Sequence, residues 1–356
     1  MKILVSDPIT ESGMAVLNEA KFEVVNLPKG TPEEKADACK DVHGWIIRSG
    51  TKITEDMIAS AENLQAIGRA GVGVDNIDIP AATRRGIVVM NTPDVNTISA
   101  AEHTVAMMLT LSRNISVGDR GMKSGEWNRH ALVGTELRNK TLGIVGMGKI
   151  GREVMSRCRS FGMKILGYDP YLNQDMFNPE EVNIVDLDTL TTQSNFITVH
   201  VPLTDGTRDL FDYDRLSSMK KTARIINVAR GGIINETDLA KALTEGKIGG
   251  AAIDVFTTEP IETSNPLVKA PNIVLTPHLG ASTQEAKEGV SMAVCEQVRD
   301  YLIHEKLNNA LNMPISDLTK LKEIQINLDL AETMGKLQGQ LNPRAIKKVH
   351  VECAGT

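Results

Sequence analysis

The chain has 356 residues, 41% hydrophobic and 24% charged, the balance of an ordinary water-soluble protein long enough for two cores. Its formal net charge of -6 gives no general attraction to nucleic acid or to an anionic membrane, and leaves room for a local cationic pocket that takes a small anion. No apolar run is long enough to span a bilayer, and the N-terminus enters a strand pattern without the regions of a signal peptide. Cys39, Cys158, Cys295 and Cys353 show neither zinc-ligand spacing nor a disulfide framework. The expectations are a reducing cytoplasm and no metal, nucleic-acid or membrane partner.

Residues 1–97 alternate short apolar runs (2–6, 22–27, 44–48, 64–68 and 86–90) with amphipathic segments such as 32–39 and 54–61. Buried strands separated by one-sided helices predict a parallel sheet covered on both faces, a flavodoxin-like unit. A long helical stretch over 98–122 leads into a second set of strands at 141–145, 164–168, 195–199, 223–228, 250–255 and 272–275, with helices at 152–161 and 236–245. This second set predicts a doubly wound nucleotide-binding unit. A helix over 284–302 then returns the chain to the first unit, which leaves a cleft between two lobes. The fold class is therefore α/β, with two doubly wound parallel-sheet domains. The flavodoxin-like outer domain is formed by both ends of the core, and the Rossmann domain is inserted between them.

From residue 306 the character changes. Residues 308–314 read as a strand or extended linker, 321–338 as a helix with Leu328, Leu330, Ala331, Met334 and Leu337 at its apolar positions, and 345–351 as a strand. Such a set buries little apolar surface alone. It reads as a partial C-terminal extension, either of a fragment of a longer chain or of a naturally abridged one.

The strongest motif is Gly146-Met147-Gly148-Lys149-Ile150-Gly151, which follows an apolar strand and opens a helix. Asp169 ends the next strand, about twenty residues on, the spacing of a dinucleotide site. Gly146 permits the tight turn, Gly148 leaves room for a pyrophosphate, and Gly151 lets the helix pack closely. Lys149 and Ile150 supply amides at the helix start more than side-chain chemistry. Asp169 should accept hydrogen bonds from the ribose hydroxyls and repel a 2'-phosphate, which favours NAD over its phosphorylated relative. Pro202, just after the strand that ends at His200, suggests a loop lining the cofactor.

Hydride chemistry on a hydroxy acid needs a base, a group that tunes it and a cation for the anionic end of the substrate. His278, after the strand 273–275, is the expected base because imidazole titrates near neutrality. Glu259, after the strand 250–255, would orient it and favour its charged form. Arg230, followed by Gly231-Gly232, offers a fork of donors suited to a carboxylate. For His43, His103, His130, His304 and His350, surface or packing roles are expected.

With these in place the chain resembles the D-2-hydroxyacid dehydrogenases, and within them the members that act on a phosphorylated substrate. The matching landmarks are Arg48–Lys52, Gly68–Asn76, Asn91–Pro93, Ser99–His103, Trp127, Gly134–Leu137, Asn227–Gly232, Asp254–Pro260 and His278–Thr283, which together cover about residues 1–305. The resemblance implies that Arg230 binds substrate and that Glu259 and His278 form the acid–base pair. It places Asp254 beside the nicotinamide carboxamide, with Val199, Ala229 and Gly280 among the cofactor's surroundings. It implies a substrate site made by Arg48, Ser49, Arg69 and the amides of Val72 and Gly73, with Arg129 reaching across from a second subunit. The sequence departs from the family's commoner pattern at Asp94-Val95-Asn96, which adds a negative charge at the hinge.

On this reading residues 1–97 begin the substrate domain, 98–284 form the NAD-binding domain, 285–305 complete the substrate domain, and 306–356 are an incomplete extension. The expected assembly is a homodimer through the cofactor domain, around residues 100–111 and the Trp127 loop, and higher orders in a longer form. The expected partner is a small phosphorylated 2-hydroxy acid. Another small 2-keto acid, such as glyoxylate or hydroxypyruvate, is the alternative substrate. An NAD-sensing interaction module is the non-enzymatic alternative, against which the retention of Arg230, Glu259 and His278 argues.

Overall fold

The computed structural model describes residues 1–172, 177–313 and 318–341. The first lobe is built from β1 (Lys2–Val5), α1 (Glu11–Glu19), β2 (Glu23–Asn26), α2 (Pro32–Ala38), β3 (Gly44–Ile47), α3 (Glu55–Ser60), β4 (Ala66–Arg69), α4 (Ile79–Arg84) and β5 (Val88–Asn91). Its five strands are all parallel, in the order β2-β1-β3-β4-β5. Each strand must be followed by a crossover, and local chemistry starts the helices that make them. Thr31 and Glu34 form a reciprocal capping box with Pro32 in the first turn of α2, and Thr54 and Asp78 cap α3 and α4.

The second lobe begins with α5 (Thr97–Ser112) and α6 (Ile115–Lys123). It continues through β6 (Thr141–Val145), α7 (Lys149–Ser160), β7 (Lys164–Tyr168), β8 (Asn183–Ile184), α8 (Leu187–Gln193), β9 (Phe196–Val199), α9 (Tyr213–Ser218), β10 (Arg224–Asn227), α10 (Glu236–Thr244), β11 (Gly250–Ile253) and β12 (Ile273–Leu275). These strands form a seven-stranded parallel sheet in the order β12-β11-β10-β9-β6-β7-β8. The order reverses at β6 and β9, and ligands of such sheets bind beyond the carboxyl ends of the strands at that switch point.

The long helix α11 (Gln284–His304) follows β12 and docks on the first sheet, against α1, β3, β4 and β5. Val290, Val294, Val298 and Leu302 form its buried stripe at helical spacing. Two glycines let it approach. A Cβ on Gly68 would lie 2.6 Å from a Val298 methyl, and one on Gly13 would lie 2.9 Å from the Ser291 carbonyl oxygen. The chain thus crosses between the lobes at 92–96 and again before α11, and Ser99 Oγ and Thr283 Oγ1 join the two crossings at 2.7 Å.

Two sequence expectations about these elements need correction. The stretch 98–122 is two helices, because Asn114 takes a left-handed conformation (φ 54) that ends the run begun by α5. Residues 308–313 take the extended-linker alternative. Ala310 forms one antiparallel bridge to Met90, and the Asn312 side chain bonds the Val89 amide and the Ile87 carbonyl, which covers the free edge of β5. Most of 100–111, expected at a subunit interface, is used inside the chain, with Ala100, Ala101, Val105, Met107, Met108 and Leu111 buried. The last helix, α12 (Leu318–Leu341), spans the predicted 321–338, and the predicted strand at 345–351 lies outside the described residues.

The core of the first lobe depends on α1 staying under α11. Leu17, fully buried in that contact, should cost about 2–5 kcal/mol when changed to alanine, from lost transfer energy and the cavity left behind. Urea unfolding checks this, and a loss below about 1 kcal/mol would show that α1 repacks freely.

Candidate active site

Gly146 ends β6 with φ +97, and a Cβ there would lie 2.6 Å from the His200 carbonyl oxygen, so this turn requires glycine. A Cβ on Gly151 would collide with the Gly146 carbonyl, whereas one on Gly148 would meet nothing within 4 Å. The three glycines therefore do different things: one turns the chain, one admits the helix, and one keeps the approach to the amino end of α7 open. Asp169, at the end of β7, accepts from the Met147 amide at 3.0 Å and the Tyr171 amide at 3.0 Å, which fixes its carboxylate beside the glycine turn. The Ile150 amide belongs to the first turn of α7. The Lys149 side chain, expected to be idle, forms an ion pair with Asp94 across the lobes. The unusual charge at 94 thus has a partner. Pro202 is exposed after β9, but Val199 is fully buried in the core and is not on the surface of the site.

The chemical residues occupy the ends of three neighbouring strands. His278 follows β12, Glu259 follows β11, and Arg230 follows β10. His278 Nδ1 lies 2.7 Å from Glu259 Oε2, and Glu259 Oε1 accepts the Phe256 amide at 3.0 Å. Facing a carboxylate, Nδ1 carries the hydrogen in the neutral ring, which leaves Nε2 as the basic nitrogen. Gly231 sets the Arg230 loop directly on the loop that carries Glu259, since any Cβ there would strike the Phe256 carbonyl. Glu236 accepts the Thr257 amide at 2.6 Å and holds the same loop from α10.

Asp254 is implied by the resemblance to face the carboxamide. In this structure it is completely buried. Its Oδ1 accepts from Thr276 Oγ1 at 2.5 Å and the Leu279 amide at 2.8 Å, and lies 3.2 Å from His103 Nε2. Its Oδ2 accepts the Gly280 amide at 2.8 Å. Burial works against its charge, but the hydrogen bonds from His103, Thr276 and Leu279 outweigh this and hold the carboxyl below its usual range. Gly280 is buried against Val228 and Asp254, and Ala229 is half-buried, its carbonyl taken by the Arg230 guanidinium at 2.7 Å.

The first lobe brings charge to the same place. Arg230 Nε lies 3.4 Å from Asp75 Oδ2, and its guanidinium fills the space beside Gly73 where a side chain would otherwise project. Arg69, at the end of β4, is pushed down to about 10 by burial and by the nearby charges of Arg230 and Arg48, which Asp75 and Asp7 only partly offset. Its Nε is buried with no hydrogen-bond partner among the described residues. Asp7 was missed in the sequence, although it too follows a strand end. Its Oδ2 accepts the amides of Arg48 at 2.6 Å and Thr51 at 3.0 Å, while Asn76 bonds the Arg48 and Thr51 carbonyls. The exposed Ser49 is carried by this braced loop. Among the described residues the amides of Val72 and Gly73 have no acceptor, and the Val72 carbonyl accepts from Asn91 at 2.7 Å. Arg129 lies on the exposed segment after α6 and is not among the charges acting on Arg69.

A glycine turn at the switch point of a doubly wound sheet, beside an arginine, a glutamate and a histidine on adjacent strand ends, defines an oxidoreductase of the nicotinamide-dinucleotide class. Residues 105–280 match the family model described as D-isomer specific 2-hydroxyacid dehydrogenase, NAD binding domain. The chain is 45% identical over 351 residues to D-3-phosphoglycerate dehydrogenase of Synechocystis sp., covering 98% of this chain and 63% of that protein. It is 44% identical over 356 residues to D-3-phosphoglycerate dehydrogenase of Methanocaldococcus jannaschii, covering 100% of this chain and 68% of that one. Among solved structures it is similar to an NAD-dependent formate dehydrogenase from Staphylococcus aureus in complex with NAD, with a TM-score of 0.78 and 32% identity, covering 87% of this chain and 99% of that one. It is likewise similar to a glyoxylate reductase from Paecilomyes thermophila, with a TM-score of 0.80 and 28% identity over 87% of this chain and 98% of that one. The chain belongs to the D-isomer-specific 2-hydroxyacid dehydrogenases, NAD-dependent enzymes of small 2-hydroxy and 2-keto acids.

One histidine in the site has a calculable effect on stability. His200 follows β9, pairs with Thr198 Oγ1 at 3.0 Å and is pushed down to about 4 by burial. The unfolded chain takes up a proton near the ordinary value of 6.5, where the folded chain still refuses it. The stability at stake is intact above that value and is lost as pH falls from 6.5 towards 4. His200→Gln should flatten this limb. Urea midpoints at pH 7 and pH 5 provide the comparison, and an equal drop in both proteins would clear His200 of the effect.

Proposed function

We propose that this chain oxidises D-3-phosphoglycerate to 3-phosphohydroxypyruvate with NAD, reversibly, the step that opens serine biosynthesis. The observation that carries the reading is Arg69, half-buried, close enough to Arg48 and Arg230 to feel their charges, and with a buried, unpartnered Nε. Three guanidinium groups so placed repel one another, and a ligand with several negative charges relieves that repulsion. A substrate bearing both a carboxylate and a phosphate is such a ligand. The names of the relatives from Synechocystis and Methanocaldococcus support the same substrate.

In the proposed mechanism residues 1–97 and 285–305 supply the substrate side, and 98–284 the cofactor side. Arg230 holds the substrate carboxylate, helped by the amides of Val72 and Gly73, and Arg48 and Arg69 take the phosphate. His278 Nε2 accepts the hydroxyl proton, and Glu259 stabilises the imidazolium that results. NAD, held at the Gly146 turn and Asp169, would supply the acceptor for the C2 hydride. Reduction runs these steps backwards, with His278 as the acid. The Gly146 turn, the open Gly148 and the first turn of α7 suit a pyrophosphate, and Asp169 suits the ribose.

We further infer a homodimer through the cofactor lobe. Trp127 and Val133, 78% and 81% exposed, lie on the same segment as Arg129, after α6. Such a dimer would deliver Arg129 to the crevice of a partner. The free, buried thiols of Cys39, Cys158 and Cys295 support a cytoplasmic setting.

The deciding assay is NADH appearance with 3-phosphoglycerate and with D-glycerate, using a scavenger for the keto product. The phosphorylated substrate should lead by about a hundredfold in kcat/KM, the worth of one or two hydrogen bonds to a charged group. Equal efficiencies would refute the phosphate assignment while leaving a dehydrogenase. His278→Ala should lower kcat by about 10²- to 10⁴-fold and spare NADH binding. Undiminished turnover in a folded variant would remove His278 from the proton transfer.

A further inference from the structure

We propose that His103 is a positioning residue for the reaction: through Asp254 it holds the turn that presents His278. The proposal rests on the dehydrogenase reading above, but its first readout does not.

His278 sits in the left-handed region, φ 55, where a side chain is disfavoured, so something must hold the turn. Three successive amides do so, and all three donate to one residue. The His278 amide bonds the Asp254 carbonyl at 2.8 Å, Leu279 bonds its Oδ1 at 2.8 Å, and Gly280 bonds its Oδ2 at 2.8 Å. Asp254 is therefore the clamp of the catalytic turn, and its two side-chain bonds, one to each oxygen, are both at full strength only while the carboxylate is ionised.

A fully buried carboxylate stays ionised only if donors surround it. Thr276 supplies one from the end of the neighbouring strand β12. The other side-chain donor comes from a different element: His103 Nε2, on α5, lies 3.2 Å from Asp254 Oδ1 and 3.2 Å from Thr276 Oγ1. The ring is largely covered, its side chain 19% exposed. A hydrogen on Nε2 is shared between the two oxygens, which fixes the tautomer. This donor reaches Asp254 from 151 positions away in the chain. Replacing the imidazole with an apolar group leaves a buried charge short of a donor. The charge then weakens, the amides of Leu279 and Gly280 lose hold, and Nε2 of His278 drifts from the position that Glu259 alone cannot fix.

The test compares His103→Leu with His103→Gln in the full chain. Gln can place an amide nitrogen near the position of Nε2, whereas Leu cannot donate. Amide hydrogen exchange over 278–280 should speed by about tenfold in the leucine variant, the factor expected for one bond to a charged group. In the glutamine variant it should stay near the parent rate. In the same preparations kcat should fall by about tenfold in the leucine variant, with KM for both substrates within about twofold, and should largely recover with glutamine. A residue that merely filled space would lower the amount of folded protein and make the two variants alike. If the leucine variant fails to fold, His103→Asn, polar but too short to reach, takes its place and must behave as Leu was expected to. Parent-like exchange in the leucine variant, or equal defects in both, overturns the clamp, and altered exchange with unaltered kcat overturns its part in the reaction. A parent enzyme with the expected exchange pattern among the variants but no hydride transfer to any 2-keto acid would instead sink the dehydrogenase reading and leave the clamp standing.

Discussion

The crevice is governed by like charge held in place against its own repulsion. The charges of Arg230 and Arg48 both disfavour the charge on Arg69, so the three would part if their loops were slack. They are not slack. Asp7 grips the amides of Arg48 and Thr51, Asn76 ties the same loop by its carbonyls, and Asp75 reaches Arg230 from the other lobe. The carboxylates offset part of the repulsion and, more importantly, fix where the rest is felt.

The opposite wall is organised by backbone more than by side-chain charge. Gly231 lets two strand-end loops lie directly on one another, and Asp254 gathers three consecutive amides of a third loop. The turn that carries His278 is thus held through backbone amides by one buried residue. This arrangement suits hydride transfer, in which a small displacement of the base is more damaging than a small change in its charge.

Much of this was legible in the sequence because it is local. The glycine turn, Asp169 and the trio Arg230, Glu259 and His278 each follow an apolar strand, and parallel sheets put strand ends together without further instruction. What was hidden depends on pairs far apart in the chain. His103 looked like a packing residue because nothing near it in sequence signals Asp254, and Lys149 gave no hint of Asp94 because they meet only across the lobes. Val199 was placed beside the cofactor by the family resemblance alone, but β9 is buried on both faces and leaves it no exposed surface. Helix continuity over 98–122 failed at one left-handed asparagine, a choice of backbone conformation that hydrophobic periodicity does not register.

Arg48 and Arg69 lie on one sheet, and Arg230, Glu259 and His278 on the other. On the proposed reading, recognition of what distinguishes one acid from another is therefore inherited separately from the machinery of proton and hydride exchange. A lineage could trade a phosphorylated acid for a bare one by revising a handful of positions before residue 92 while the other lobe is copied unchanged. Such a division is in keeping with one architecture serving both a formate dehydrogenase and a glyoxylate reductase.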